Sequence, residues 1–278
     1  MLSVAEAADR IIAGITPLGV ERVALLDAAG RVLASPVTSP LTLPAWDNAA
    51  MDGYAVRAAD IRTARSDAPV TLRVLETVAA GAFPSQPVTA GSATRTMTGA
   101  PLPNGADSVV RVEDTDGGIE RVAIRDTRDA LRNVRRRGED IGKGTQVLDR
   151  GQPLGAAQIG VLASVGAAAV DVYQRPRVAF FASGDEIVDL DRLPEAAAGT
   201  KILTSNSYTL HTMIRAAGGE PVNLGISPDD PAALREHFER SAGCDLLVTS
   251  AGISAGEYDY VRTVLAVLGV QLDVWKVR

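Results

Sequence analysis

The sequence is poor in the residues that build disulfides and histidine-based sites. It contains one cysteine, Cys244, and two histidines, His211 and His237, among 278 residues. A single cysteine excludes an intramolecular disulfide and any metal site with several cysteine ligands. Two histidines far apart in the chain argue against a Ser-His-Asp triad and a histidine-rich metal site. We expect Cys244 to be a core residue.

Long apolar runs and a positive net charge are also missing. The longest run of small apolar residues, 159–170, is too short to span a bilayer. The first turns of the chain mix Glu6, Asp9 and Arg10 among apolar residues, unlike a signal peptide. A net charge of −6 and a pI near 5.1 argue against nucleic acid or an anionic membrane as the main partner. We therefore expect a soluble, cytoplasmic protein.

The first half of the chain changes from a helical to a strand pattern. Ser3 and Glu6 form a capping box, and apolar residues at helical spacing predict a helix that ends at Gly14. From residue 21 to 143, short alternating segments broken by glycine, proline and aspartate predict a β-rich domain. Its clearest predicted strands are 71–78, 93–97, 108–112 and 119–124. A small-residue helix and a short strand are predicted to follow at 155–164 and 169–173.

Beyond Arg175-Pro176 the pattern becomes β-α-β-α-β-α-β. The predicted strands are 177–182, 221–226, 245–250 and 271–277. The predicted helices are 206–217, one capped by Asp230 with Pro231 at its first position, and 260–268. The first of these helices is expected to bury Leu210, Met213, Ile214 and Ala217. Apolar strands that alternate with helices predict a doubly wound parallel sheet, so the chain combines an α/β region with a β-rich one.

Residues 44–55, P-A-W-D-N-A-A-M-D-G-Y-A, place two carboxylates and an amide in a short polar segment. Because Asn and Asp tolerate turn geometry and Gly53 is free of steric limits, a tight turn is one interpretation. Three large apolar residues lie within the segment: Trp46, Met51 and Tyr54. They favour a packed loop, and unpaired carboxylates in a packed loop, here Asp47 and Asp52, indicate a ligand or a metal.

Two predicted strand ends in the α/β region carry polar loops, at residues 183–186 and 250–259. Ligands of such sheets bind beyond the carboxyl ends of the strands. The glycines of the second loop and the hydroxyls of Ser250 and Ser254 suit an anion. The oxygen donors suited to Mg²⁺ are Glu186, Glu257 and Asp259. Together they indicate nucleotide or pyrophosphate chemistry, whereas either loop alone would be read as a capped turn.

Segment 44–55 closely resembles the P-x-(F/W)-D-N-S-A-M-D-G-(Y/F)-A signature of the molybdopterin molybdenumtransferases, the MoeA and gephyrin E-domain family. Ala49 stands where the family usually has Ser. Residues 97–103, M-T-G-A-P-L-P, are similar to the family's M-T-G-A-P-x-P. Without the resemblance, this second segment would be interpreted as the end of a strand.

The two strand-end loops extend the resemblance. Residues 182–187 resemble S-T-G-D-E-L, with Ser183 in place of Thr. Residues 249–260 resemble S-G-G-V-S-x-G-(D/E)-x-D, with Ala251 in place of the first Gly. This change matters only if the position needs a positive φ or close contact with the ligand.

A basic run, Arg132 to Arg137, stands out in an acidic chain and leads into Gly-Glu-Asp. A solvated strand edge explains it without any ligand. The family has R-x-x-G-E-D here, so phosphate binding and pairing between domains through Glu139 or Asp140 are the alternatives.

The resemblance also implies a domain organisation. It implies a helical linker domain from residues 1–20 and 145–175, an inserted β-rich domain from 21–144, and a MogA-like α/β domain from 176–278. The family continues with a Pro-Gly-Lys-Pro loop, the rest of the α/β domain and a small β domain. We therefore expect the α/β domain to be truncated, either in a fragment of a longer enzyme or in a shortened paralogue.

The activity that the resemblance implies is insertion of molybdate into adenylylated molybdopterin, with release of AMP. It implies Mg²⁺ held by Glu186 and Asp259, and catalytic contributions from Asp52 and Thr98. The other implied ligand-binding residues are Ser183, Gly184, Asp185, Ser250, Gly252, Ser254 and Gly256. Family members form the site from the β-rich domain of one subunit and the α/β domain of the other, which implies a homodimer. A non-catalytic molybdopterin-binding or dimerising scaffold is the alternative.

Overall fold

The computed structural model describes residues 2–250 and 260–274. Its α-helices are α1 (Val4–Ala13), α2 (Ala156–Ser164), α3 (Leu193–Ala197), α4 (Ser205–Ala216), α5 (Pro231–Arg240) and α6 (Val261–Val267). The strands before residue 150 are β1 (Val20–Ala24), β2 (Val37–Thr38), β3 (Asn48–Ala49), β4 (Gly53–Val56), β5 (Val70–Val78), β6 (Ser92–Thr96), β7 (Ser108–Arg111), β8 (Arg121–Ile124), β9 (Val134–Arg135) and β10 (Gln146–Leu148). The later strands are β11 (Ala169–Tyr173), β12 (Arg177–Ser183), β13 (Ile187–Val188), β14 (Ile202–Leu203), β15 (Glu220–Ser227) and β16 (Leu246–Thr249).

Contacts divide the chain into two units. Residues 1–35, 150–159 and 169–278 form the first, called the α/β unit below. Residues 36–149 and 160–168 form the second, called the β-rich unit. The finer division into three domains, with boundaries at residues 20, 145 and 175, stays a prediction.

The β-rich unit contains a five-stranded sheet with the order β7-β4-β6-β5-β8. The four strands predicted for this region are confirmed, with ends that shift by one or two residues. The second strand in this order, β4, pairs antiparallel with both neighbours, so Tyr54 lies opposite Val110 and Arg95. The Tyr54 ring is fully buried, and its hydroxyl donates to the Gly118 carbonyl at 2.9 Å. Around it pack Val56, Ile61, Ala64, Leu72, Ala93, Val122 and Ile124.

In the α/β unit, β1 pairs antiparallel with β11 along its whole length, from Val20 opposite Tyr173 to Ala24 opposite Ala169. The buried Arg31 guanidinium lies beside this pair. It donates to the Tyr173 carbonyl at 2.7 Å and forms an ion pair with Glu21. A buried cation without such partners would be strongly destabilising, so these contacts fix the segment that follows β1.

The main sheet of the α/β unit is parallel, with the order β15-β12-β16. Successive side chains of a strand point to opposite faces. On one face of β12, Val178 and Phe180 pack against Ile214 of α4. On the other face, the cluster contains Ala179, Phe181, Leu224, Leu234, Phe238, Val261 and Val264, with Cys244 half-buried against it. Helices therefore cover both faces, and the predicted doubly wound arrangement is confirmed.

Two details of the predicted α/β pattern are wrong. In α4 the side chains that pack inward are Ser207, Leu210 and Ile214, spaced by three and four residues. Met213 lies beside this stripe and is 61% exposed, and Ala217 is exposed beyond the end of the helix. Residues 271–274 form no strand, because no described strand pairs with them. The rest of that predicted strand lies outside the described residues.

Helix α1 begins at the predicted capping box and ends at Gly14. The Ser3 N–H donates to the Glu6 carboxylate at 2.7 Å, and the Glu6 N–H donates to Ser3 Oγ at 3.2 Å. Within the helix only Ala7 is buried. None of the helices in the described ranges has the length and apolar character needed to cross a membrane.

The close contact of β4 with β7 generates a prediction. A Cβ atom on Gly53 would lie 1.9 Å from the Val110 carbonyl oxygen, so Gly53→Ala must force the two strands apart. We expect the free energy of unfolding to fall by about 3 kcal/mol or more. Gly160, inside α2, is the matched control, since a Cβ there meets no atom within 4 Å. Gly160→Ala should raise stability by roughly 0.5–1 kcal/mol. Urea denaturation measures both, and equal effects would contradict the steric explanation.

Candidate active site

Two motif segments, 46–52 and 97–102, lie side by side in the β-rich unit. Ala49 joins them through both of its backbone groups. Its N–H donates to the Ala100 carbonyl at 3.0 Å, and its carbonyl accepts the Gly99 N–H at 2.8 Å. Segments that are far apart in the sequence are thereby held in a fixed register.

This register brings together Asp52 and Thr98, which the family resemblance implicates in catalysis. The backbone N–H and the hydroxyl of Thr98 both donate to Asp52 Oδ1, each at 2.7 Å. These bonds, the backbone one first, lower the pKa of Asp52. The exposed carboxylate is therefore ionised at neutral pH, and its Oδ2 has no hydrogen bond to the described part of the chain.

The other carboxylate of the segment, Asp47, pairs with two residues of the basic run. Its Oδ1 accepts the Arg137 N–H and its Oδ2 pairs with Arg136 Nη1, both at 2.7 Å. The Arg137 bond, followed by the Arg136 bond, lowers the pKa of Asp47. The expectation of two unpaired carboxylates is therefore wrong. Packing is also only partial, because Tyr54 is buried whereas Trp46 and Met51 remain partly exposed.

Two arginines of the basic run, Arg135 and Arg136, form ion pairs with carboxylates of the same unit. Arg135 forms ion pairs with Glu139 at 3.2 Å and with Asp140 at 2.6 Å. The backbone of Arg135 also pairs with Asn48, which links β9 to β3. The run thus helps to fix the segment that carries Asp52, while phosphate binding and pairing between domains stay hypotheses.

In the α/β unit, the loop after β12 places the Glu186 carboxylate beside Gly184. Ser183 is the last residue of β12, and Gly184 follows with a φ of 141°. A Cβ atom on Gly184 would lie 2.7 Å from the Glu186 carboxylate. The backbone conformation of this position favours glycine, and a Cβ there would displace the Glu186 side chain. Beside it, the Asp185 carbonyl accepts a hydrogen bond from Lys201 Nζ at 2.6 Å.

A cavity of about 210 Å³ lies at the carboxyl ends of β12 and β16. Three predicted site residues line it: Ser183, Glu186 and Ser250. The cavity also has polar walls that the sequence interpretation missed, formed by Thr204, Ser205 and Asn206. The sequence signal for these three residues is a polar run at the point where the predicted helix 206–217 begins. Because these residues lie at the start of α4, helix N–H groups add to the donors around this cavity.

The other predicted residues of this loop line a second cavity, of about 430 Å³. Gly184 and Asp185 line it, together with Asp189 and Arg192. The Asp189 carboxylate accepts the Tyr208 hydroxyl at 2.6 Å, and this bond is the main cause of the lowered pKa of Asp189. The predicted ligand-binding set is thus divided over two cavities.

The remaining predicted residues of the second loop lie outside the described residues: Gly252, Ser254, Gly256, Glu257 and Asp259. In residues 2–250 and 260–274, no group of three or more His, Cys, Asp or Glu could hold a metal ion. The smaller cavity does offer the Glu186 carboxylate together with serine hydroxyls. These are the hard oxygen donors that Mg²⁺ accepts, with water completing its coordination.

Comparison with known families gives two matches that follow one another along the chain. Residues 2–166 match the family model described as MoeA N-terminal region (domain I and II). Residues 179–277 match the model described as probable molybdopterin binding domain. Both units therefore contain family-matched sequence.

Curated relatives carry the name molybdopterin molybdenumtransferase. The protein of Nostoc sp. is 41% identical over 255 residues, which are 91% of this chain and 58% of the relative. The protein of Synechococcus elongatus is 36% identical over 285 residues, covering 100% of this chain and 70% of the relative. The chain thus spans less than two thirds of the Nostoc protein.

A solved structure agrees with these matches. The crystal structure of a molybdopterin biosynthesis moeA protein from Pyrococcus horikoshii OT3 aligns with a TM-score of 0.81 at 31% sequence identity. The alignment covers 90% of this chain and 66% of that protein.

The contact between Asp52 and Thr98 generates a prediction. Hydrogen bonds to an ionised carboxylate lower its pKa. Thr98→Val removes the hydroxyl bond and keeps the backbone bond, so the pKa of Asp52 should rise towards its ordinary value without reaching it. Titration of the side-chain carboxyl carbons by NMR measures the change. Asp116, whose pKa is lowered by the N–H groups of Ala123 and Gly118, is the internal control and should not shift. An unchanged Asp52 titration would contradict the assigned contact.

Proposed function

The chain belongs to the molybdopterin molybdenumtransferase family, and we propose that it inserts molybdate into adenylylated molybdopterin with release of AMP. The observation that carries this proposal is the cavity at the carboxyl ends of β12 and β16. There the Glu186 carboxylate, two serine hydroxyls and the start of α4 surround one small space. This combination suits a ligand with phosphate groups and a divalent cation.

In this proposal Glu186, together with Asp259, holds Mg²⁺. When bound, Mg²⁺ offsets the negative charge of the pyrophosphate link and polarises it for cleavage. The hydroxyls of Ser183 and Ser250 donate to phosphate oxygens, and Gly252, Ser254 and Gly256 extend this set of donors. Such donors hold the phosphates in place as charge develops on the departing AMP.

Asp52 and Thr98 supply the contribution of the β-rich unit. Both Thr98 hydrogen bonds reach Oδ1 of Asp52, so the ionised carboxylate is held in one orientation. Its Oδ2 is then available to accept a hydrogen bond from the ligand. We also propose a homodimer with a shared site, which rests on the family resemblance, and a cytoplasmic location, which rests on the composition of the chain.

The proposed role of Asp52 can be separated from folding. Asp52→Ala should lower the rate of AMP release from adenylylated molybdopterin and molybdate by roughly 100-fold, the size expected for loss of a preorganised polar group. The melting temperature should stay near that of the wild type, because the carboxylate is exposed. Asp67→Ala is the matched control, since Asp67 is an exposed carboxylate of the same unit, paired with Arg65. A loss of several kcal/mol in stability, or an equal loss of activity in both variants, would count against the role.

The proposed metal ligand generates a second activity test. AMP release by the purified chain should require both molybdate and Mg²⁺, and Glu186→Gln should need a much higher Mg²⁺ concentration for half-maximal rate. Glu195→Gln is the control, because Glu195 is a partly exposed carboxylate of the same unit that pairs with Arg192. A rate independent of Mg²⁺ would remove the metal from the proposal. Binding of adenylylated molybdopterin without AMP release under any condition would favour the scaffold alternative.

A further inference from the structure

The β-rich unit contains a cavity of about 330 Å³ to which the proposed chemistry assigns no role. It is lined by Trp46, Phe83, Pro84, Ser85, Gln86, Pro87, Pro101, Leu102 and Asn104. None of these nine side chains carries a charge. Its volume is at the lower end of the range for ligand sites, which suits a single ring system.

Two aromatic rings form the apolar part of this cavity. The ring centroids of Trp46 and Phe83 are 5.0 Å apart, with an interplanar angle of 66°. Trp46 is 41% exposed and Phe83 is 64% exposed. Both rings therefore keep accessible surface beside an open cavity, and a planar ligand could stack on either.

Hydrogen bonds within the β-rich unit hold the cavity walls in place. The Glu76 carboxylate accepts the N–H groups of Ser85 and Gln86, each at 2.9 Å, and the Ser85 hydroxyl at 2.8 Å. The loop that carries Phe83 is further tied down by the Val88 N–H, which donates to the carbonyl of Asn104 at 2.8 Å. A preformed wall lowers the entropy cost of binding, as expected for a ligand site.

The opposite wall belongs to the paired motif segments. The Leu102 N–H donates to the Asp47 carbonyl at 2.8 Å, directly beside Trp46. The cavity therefore lies at one end of the pair of segments 46–52 and 97–102, and the contact between Asp52 and Thr98 lies at the other end.

The polar groups of the cavity define the class of ligand. The side-chain amides of Gln86 and Asn104 line it and make no hydrogen bond to the described part of the chain. An amide donates and accepts at once, which matches the edge of a nitrogen heterocycle. A charged group would lose its hydration here without gaining an ionic partner. The lining thus favours a neutral, planar ring over a phosphate.

We propose that this cavity is a ring-binding subsite that holds the planar nitrogen heterocycle of the ligand by stacking on one of the two rings, Trp46 or Phe83, and by an edge contact with the other. Adenylylated molybdopterin has two such rings, adenine and pterin, which share this chemistry. The proposal rests on the proposed function, because it takes its ligand from that reaction.

Binding of each ring can be followed at Trp46 itself. The chain has two tryptophans, Trp46 and Trp275, so Trp275→Phe assigns the indole N–H signal of Trp46 in ¹⁵N-labelled protein. The probes are adenosine, 6-hydroxymethylpterin and a decaproline peptide. We expect a saturable shift of the Trp46 signal with adenosine or with the pterin, and the ring that binds more tightly identifies the end of the ligand that is held. A shift with decaproline alone, or with no probe, would overturn the proposal.

Variants separate stacking from folding. Phe83→Ala should weaken binding of the preferred ring roughly tenfold, the effect of losing one stacking partner. Ile119→Ala, which removes an exposed apolar side chain of the same unit, is the matched control and should leave affinity unchanged. Melting curves establish that both variants fold. Equal affinity in Phe83→Ala and the control would contradict stacking.

A kinetic measurement distinguishes this inference from the proposed function. In the AMP-release assay, Phe83→Ala should raise KM for adenylylated molybdopterin roughly tenfold and leave kcat unchanged. AMP release with an unaltered KM would refute the ring subsite and leave the transferase function standing. Ring binding without any AMP release would refute the transferase function instead.

Discussion

The arrangement of the β-rich unit depends on the close contact between Gly53 and the Val110 carbonyl. No side chain larger than hydrogen can be accommodated there, since a Cβ atom would lie 1.9 Å from that oxygen. Because Gly53 follows Asp52 directly, the packing of β4 against β7 fixes the backbone position from which the Asp52 side chain extends. The next residue, Tyr54, is fully buried in the core of the sheet. The position of Asp52 is thus set by the packing of Gly53 and Tyr54, and its side chain needs no buried partner.

The two acidic residues of one motif differ in their contacts. Asp47 is committed to Arg136 and to the backbone of Arg137, and so ties two distant segments together. Asp52 receives both its hydrogen bonds on one oxygen and presents the other to solvent. The residue pattern alone does not separate these contacts, because both carboxylates lie in the same short polar segment. The distinction comes from which groups each carboxylate contacts in the folded unit.

The cavity of the α/β unit that Glu186 lines is at the carboxyl ends of β12 and β16, where ligand sites of parallel sheets generally lie. Gly184 of the same unit has a φ of 141°, which favours glycine, and the Glu186 carboxylate lies beside it. The polar start of α4 adds Thr204, Ser205 and Asn206 to the lining of the cavity. Under the proposed function these features have a common chemical interpretation, namely the binding of a phosphate-linked ligand beside a divalent cation.

The sequence by itself determined the local elements and the family. The capping box at Ser3, the helix that starts at Pro231 and the apolar strand at 177–182 are short-range patterns, and all three appear as predicted. Tertiary structure decided the partners of Asp47 and Asp52, the exposure of Met213 and the absence of a strand at 271–274. It also assembled the Trp46 cavity from three separate segments. Spacing along a chain encodes the direction of a side chain within one element, whereas its partner depends on which distant segment pairs beside it.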